Sequence, residues 1–406
     1  MYLPFTTPAS SLRSLQPIHD RCRMCVTVPA KDEAEYMEQT LDALRLQYHP
    51  DGTRLDRRWY EVTVLANNCT DDTAAVVARY ADRYPGFALH VVEVVFPPEK
   101  ACVGFARKML MDHAYMRLAG IGLEDRGIIV SADADTLVDR HWVHYMLAEI
   151  AGGARAVSGC IETVVGTREQ TGDYLEMHRL DMEYYQLSSC LEAMLDPNPA
   201  DPWPRHFHHY GPSIAVRADA YRECGGIPPV RCLEDIALYE ALEAIDVTMR
   251  HSPLVKVYTS DRRSDRVEGV AFSHHLDYLA DLKRRGEMRK DMGLERSLQL
   301  VRWRVALRRA HREGGEPLGE ELLKLVDYLN LTEQELLDKI AATKYFGALY
   351  QDLRHACYDT EGWKDTDMDV AVRELRSYTA DFLTANPHAV PSSPTGTAPD
   401  GVILAL

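Results

Sequence analysis

An alternation of short apolar runs with apolar stripes at helical spacing constrains this chain more than any other feature. Met24-Cys25-Val26-Thr27-Val28-Pro29 reads as a buried strand stopped by proline. Asp32, a residue fit for an N-cap, opens a helix with acids in its first turn and a stripe of Tyr36, Met37, Thr40, Leu41 and Leu44. The unit recurs as a strand over 61–66, a polar loop Asn67-Asn68-Cys69-Thr70-Asp71-Asp72, and a helix over 73–84 ended by Pro85-Gly86. A third strand over 88–96 precedes a helix around 104–118, and a fourth, over 127–132, runs into Asp133-Ala134-Asp135. This spacing predicts an α/β fold: a Rossmann-like, mostly parallel sheet flanked by helices, with ligands outside the carboxyl ends of its strands.

Beyond residue 160 the pattern loosens into a long helix over 168–195, a proline-rich loop over 196–204 and a strand over 213–216. A short helix over 219–224 closed by Gly225-Gly226, a helix over 233–244 and a strand pair at 247–249 and 254–258 follow. Leu318, Leu322, Leu325, Val326 and Leu329 recur at helical spacing, so residues 276–385 read as a helical C-terminal addition. The stretch 386–406, rich in Pro, Ser, Thr and Gly, reads as a mobile tail, and 1–23 as an N-terminal extension.

Length and composition exclude several classes. A chain of 406 residues, 46% hydrophobic and 27% charged, is an ordinary globular one with room for two to three structural units. A net charge of −16 argues against nucleic acid or an anionic membrane as a sequence-independent partner. No stretch offers the roughly 18 uncharged apolar residues of a membrane span, and the first residues lack a signal-peptide core, so the expected location is cytoplasmic. Nine scattered cysteines do not make a disulfide framework. Cys22 and Cys25 have the spacing of half a zinc site, but no second pair completes it, and small residues entering a buried strand is the favoured reading.

Chemistry gathers at the strand ends. Asp133 and Asp135, two apart at the end of a strand, share a face, and two hard oxygen ligands suit Mn²⁺ or Mg²⁺ bridging phosphate oxygens. By itself an Asp-x-Asp is more often a turn or a helix cap. Pro29, Lys31, Asp32 and Glu33 end the first strand and the 67–72 cluster ends the second, so all three clusters fall on one sheet edge, with helix capping a competing role, at Asp32 and Asp72 above all. Glu234-Asp235 opens a predicted helix, either as first-turn acids or as a partly buried general base.

The segments VTVPAKDEAEYMEQTLDAL, VLANNCTDDTA, GFARKMLMDHA, VSADADTLVD, YGPSIAVRADAYRECGGIP and RCLEDIALYEAL, in this order, resemble the family 2 glycosyltransferases of GT-A fold over residues 24–260. The resemblance implies a GT-A domain over 24–275, with a nucleotide-sugar half over 24–160 and an acceptor half over 161–275. It implies an inverting hexosyltransferase-type enzyme using Mn²⁺ or Mg²⁺, a nucleotide-diphospho-sugar donor, with UDP- or GDP-sugar foremost, and a hydroxyl acceptor. Pro29, Lys31 and Glu33 would line the nucleoside pocket, with Asn67 and Asp71 or Asp72 near the base and ribose. Asp135 would hold the metal, Asp133 would lie nearer the ribose or donor sugar, and Asp235 of the Glu234-Asp235 pair would be the base.

Two features depart from the family's usual pattern. Gly104-Phe105-Ala106-Arg107 stands where many relatives have Gly-Lys, and Arg107 is expected to serve the donor phosphate or sugar as a forked cation. No Gln-x-x-Arg-Trp of the processive synthases occurs. Arg262, Arg263 and Arg266 follow the last predicted strand and are expected to fold over a diphosphate, and His251, His274 or His275 is expected to complete the metal site. Alternatives from other classes are a sugar-nucleotide nucleotidyltransferase, disfavoured by the lack of a glycine-rich loop after the first strand, and a non-catalytic nucleotide-binding scaffold.

Overall fold

The computed structural model describes residues 12, 15–164, 174–260, 272–314, 317–360 and 363–386. Arg262, Arg263, Arg266 and the tail from residue 387 lie outside the described residues. The chain divides into two compact units, one drawn from 1–168, 208–243 and 247–273, the other from 169–207, 244–246 and 274–406.

The first unit holds β1 (Met24–Ala30), α1 (Ala34–Arg45), β2 (Tyr60–Asn67), α2 (Thr73–Arg83), β3 (Leu89–Val94), α3 (Val103–Ala119), β4 (Ile128–Ser131), β5 (Thr136–Val138), α4 (Trp142–Ala151) and β6 (Ala156–Val164). After residue 208 it adds β7 (Ile214–Arg217), α6 (Ala218–Glu223), α7 (Glu234–Glu243) and β8 (Met249–Ser260). The strands form one eight-stranded sheet in the order β3-β2-β1-β4-β7-β6-β8-β5. β1 pairs in parallel with β2 and β4, β2 with β3, and β6 with β8, whereas β7 runs antiparallel to β4 and β6, and β5 to β8.

Alternation along β1 explains the two cores. Met24, Val26, Val28 and Ala30 face one way, into a core with Met37 and Leu41 of α1, Val77 and Tyr80 of α2, and Trp142 and Met146 of α4. A second core joins Leu65 and Val92 of the sheet to Ala106, Met109 and Leu110 of α3. All eight residues of β2 are buried, as expected of a parallel strand covered on both sides. Cys22 and Cys25 are buried free thiols, 2% exposed, at the entry to β1, and burial pushes the Cys25 thiol up.

The second unit holds α5 (Leu175–Leu195), α8 (Phe272–Arg285), β9 (Lys290–Asp291), α9 (Leu294–Glu313), α10 (Glu320–Leu329), α11 (Glu333–Ala342), α12 (Phe346–Asp359), β10 (Thr366–Asp367) and α13 (Met368–Ala385). Tyr184, Leu187 and Leu191 of α5 pack with Met368, Val372 and Leu375 of α13. That packing groups α5 with the C-terminal helices. Two local expectations change. The final strand pair is a single strand, β8, whose register shifts opposite Gly159 and Cys160. β4 ends at Ser131, so Asp133 and Asp135 stand in the turn to β5, not on a strand face.

Candidate active site

The order β3-β2-β1-β4 reverses direction at β1, and the crevice outside the carboxyl ends of β1 and β4 is where such sheets bind ligands. Three loops meet this edge: 31–33 after β1, 68–72 after β2 and 132–135 after β4. The antiparallel β7 brings a fourth, because Ile214 pairs with Ser131 and the residues just before Ile214 arrive beside the Asp133 turn.

The first two loops cap each other across the edge. Asp32 takes the left-handed conformation, φ 55°, and its Oδ1 accepts the N–H of Thr70 at 2.6 Å and of Asp71 at 3.3 Å. In return Asp71 accepts from the N–H of Ala34 and of Thr73, each at 3.0 Å, and Thr73 Oγ1 accepts from the N–H of Glu33 at 2.8 Å. Burial raises the Asp71 carboxyl, but the Thr73 and Ala34 bonds outweigh it and hold it below the usual range. Asp32 is therefore no cap of its own helix; the residue at the N-cap of α1 is Glu33, and Asp72, at the N-cap of α2, makes no side-chain cap bond. Lys31 is exposed, Pro29 and Glu33 are half-buried, and Asn67 is buried with no donor to its Oδ1 among the described residues.

Arg107, on α3 and 4% exposed, sits under the site. Its Nε donates to Glu234 Oε1 at 2.7 Å, Nη2 to Asp133 Oδ1 at 2.8 Å, and Nη1 to Ser131 Oγ and to the carbonyl of Gly211 at 3.1 Å. Burial lowers the basicity of this guanidinium, yet Asp133, Glu234 and Asp235 outweigh burial, raise it further and keep the group charged. The fork of Arg107, the residue expected to serve the donor phosphate or sugar, joins the two acidic motifs inside the protein. Asp235 Oδ2 accepts the N–H of Gly211 at 2.7 Å, and its Oδ1 accepts the N–H of Ile236 at 2.9 Å. Two glycines allow this approach. A Cβ at Gly104 would lie 2.2 Å from the carbonyl oxygen of Val230, and one at Gly211 would lie 2.6 Å from Arg107 Nη2.

Asp235 and Tyr239 are four apart and share a face of α7. Tyr239 stacks on His209 at 4.3 Å between ring centroids, and His251 of β8 meets Tyr239 at 6.3 Å and His209 at 6.4 Å. His251 is thus beside the helix that carries Asp235. His274 is exposed on α8 of the other unit, where His275 bonds Asp181 at 2.7 Å.

Asp133 and Asp135 supply the oxygen ligands a divalent cation takes. Asp133 keeps a 29% exposed side chain, and its Oδ2 has no hydrogen-bond donor among the described residues. Among the described residues they form no close trio of ligand atoms with a histidine. Among the described residues, the trio of His, Cys, Asp or Glu ligand atoms within 4.8 Å of one another is Asp32, Cys69 and Asp71, whose oxygens are engaged in the loop capping above. Residues to which sequence reasoning assigned no role are Ser131, Gly211 and Tyr239, and the signal for Gly211 was present in the string YGPS.

Residues 25–220 match the family model described as glycosyl transferase family 2. The match spans just under half of the chain, and over that stretch the protein carries a glycosyltransferase domain. No curated protein matches the chain by sequence. Among solved structures it is similar to a mannosyltransferase from Pyrobaculum calidifontis in complex with GDP-Man and Mn²⁺, at 17% identity and TM-score 0.41, over 92% of this chain and 84% of that one. It is also similar to S. aureus TarS 1–349 in complex with UDP-GlcNAc, at 12% identity and TM-score 0.40, over 88% of this chain and 92% of that one. A third is GalNAc-T7 with UDP, GalNAc and Mn²⁺, at 12% identity and TM-score 0.44, over 85% of this chain and 61% of that one.

Proposed function

We infer that the chain transfers a sugar, with inversion, from a nucleotide-diphospho-sugar to an acceptor hydroxyl in a metal-dependent reaction. The observation that carries this reading is the convergence of Asp133 and the Glu234-Asp235 pair on one guanidinium at the sheet edge. The nucleoside would lie along Pro29, Lys31, Glu33, Asn67 and Asp71, where the buried Oδ1 of Asn67 offers an acceptor for an N–H of the base. Asp135 would bind the divalent cation, Mn²⁺ or Mg²⁺, with Asp133 toward the ribose or donor sugar and His251 the one of the expected histidines that belongs to the same unit. The cation, when bound, supplies positive charge against that growing on the leaving diphosphate.

Asp235 would take the proton of the acceptor hydroxyl as that oxygen attacks the anomeric carbon. Each of its oxygens accepts one backbone N–H, which orients the carboxylate and leaves lone pairs for the incoming proton. A single displacement from the face opposite the diphosphate inverts the anomeric centre.

Thermal stability against UDP, GDP, dTDP, CDP and ADP, each with and without Mn²⁺, tests the donor site. Saturation at about a hundred times Kd stabilises the fold by about 2.7 kcal/mol. A metal-dependent shift with one diphosphate is the expected result and names the donor class. A panel of matching sugar nucleotides then tests transfer: nucleoside diphosphate release is expected, whereas pyrophosphate release would point to nucleotidyl transfer.

A further inference from the structure

We propose that Arg107 is a positioning residue that ties the Asp133 turn to the base-bearing helix α7, and not a ligand of the donor. The inference rests on the glycosyltransferase reading for the roles of the acids it joins. The tie itself stands on geometry.

A guanidinium grips a phosphate through two adjacent N–H groups acting together. In Arg107 every such pair is divided between protein partners. Nε serves Glu234 while Nη2 serves Asp133, and Nη1 is taken by Ser131 and the Gly211 carbonyl. No bidentate face is left for a diphosphate, and the side chain is only 5% exposed.

The partners come from distant parts of the chain: α3 supplies Arg107, the end of β4 and its turn supply Ser131 and Asp133, the segment before β7 supplies Gly211, and α7 supplies Glu234. Arg107 fixes Asp235 by two routes. Glu234 anchors the first turn of α7, and Gly211, whose carbonyl accepts from both Arg107 and Ser131, donates its N–H to Asp235. Glu234 is itself 4% exposed, so it depends on Arg107 as its counter-charge. A lysine supplies the charge from one nitrogen and cannot span these four partners.

The test compares wild type with Arg107→Lys and Arg107→Met. Hydrogen exchange at the Gly211 and Ile236 amides reads the tie without any substrate. Calorimetry with UDP and GDP, each with Mn²⁺, reads donor-site affinity, and nucleoside diphosphate release from the matching sugar nucleotide gives kcat and KM. In Arg107→Lys the two amides are expected to exchange about tenfold faster or more, with those of β1 and β2 unchanged. Misplacing the base is expected to lower kcat about 100-fold, with KM and diphosphate Kd within about threefold.

A tenfold or larger rise in Kd and KM with kcat preserved would make Arg107 a donor ligand and overturn the proposal, as would unchanged exchange together with unchanged kcat. If wild type neither binds a diphosphate nor releases one, the glycosyltransferase reading fails, and the exchange comparison still decides the tie. Should both Arg107 variants unfold, Glu234→Ala reads the same tie from its other end, because it removes the acceptor of Arg107 Nε. The same amide acceleration and loss of kcat are expected there, and wild-type values would overturn the proposal.

Discussion

Gly211 donates its N–H to Asp235 Oδ2 at 2.7 Å from a position so close to Arg107 that a Cβ would stand 2.6 Å from Nη2. A methyl group there must displace a guanidinium held on every side. Gly211→Ala is expected to destabilise the fold by about 1–3 kcal/mol and to lower turnover more than tenfold. Urea unfolding and steady-state kinetics check both, and a fully stable, fully active variant would contradict the packing described.

Asp235→Asn removes the charge while leaving an oxygen to accept the Gly211 N–H. The fold should persist. Turnover should fall by about 10²–10⁴, with affinity for the diphosphate within about threefold. Wild-type turnover would remove Asp235 from the role of base.

Asp135→Ala tests the metal. Titration of the preferred diphosphate with and without Mn²⁺ should show the metal-dependent increment in wild type and lose it in the variant. An undiminished increment would place the cation elsewhere.

The crossed capping of the first two loops predicts opposite behaviour at adjacent residues. Asp71→Ala loses bonds from the Ala34 and Thr73 amides and should cost about 1–2 kcal/mol. Asp72→Ala, at an N-cap without a side-chain bond, should change stability by less than about 0.5 kcal/mol. Equal effects in chemical denaturation would refute this division of labour.

Glu61 gives a pH prediction. Burial raises its carboxyl, but the bonds from Arg117, at 2.5 and 2.7 Å, and His90 outweigh burial and bring it from the ordinary 4.5 to about 2. A carboxyl depressed in the folded state adds stability that is complete above the unfolded value and is lost as pH falls from about 4.5 toward 2. Burial likewise pushes His113 down to about 4, so the fold also loses stability between 6.5 and 4 as the unfolded chain takes up that proton. Glu61→Gln leaves Arg117 without its charge partner and should cost about 3–5 kcal/mol at pH 7. The gap between wild type and variant, read from urea midpoints, should narrow toward pH 2; a constant gap would dismiss the ion pair as its source.

Local pattern alone carried the α/β class, the strands β1 to β4, the helices between them and the helical end of the chain. Continuous apolar runs and helical stripes are short-range properties, visible in a few consecutive residues such as Met24 to Ala30 or Tyr36 to Leu44. The acidic motifs were legible for the same reason, and their joint order was legible as a resemblance. What joins them was decided only by the tertiary structure. Arg107 reaches Asp133 across 26 positions and Glu234 across 127, because β7 runs antiparallel beside β4 and delivers Gly211 to the same edge. Strand pairing between distant segments depends on which faces can be buried together, and no window of sequence contains that choice. The same holds for α5, which buries an apolar face against α13, about 190 positions away. Sequence named the candidate groups; long-range burial and one buried guanidinium join Asp133 and Glu234 in a single place.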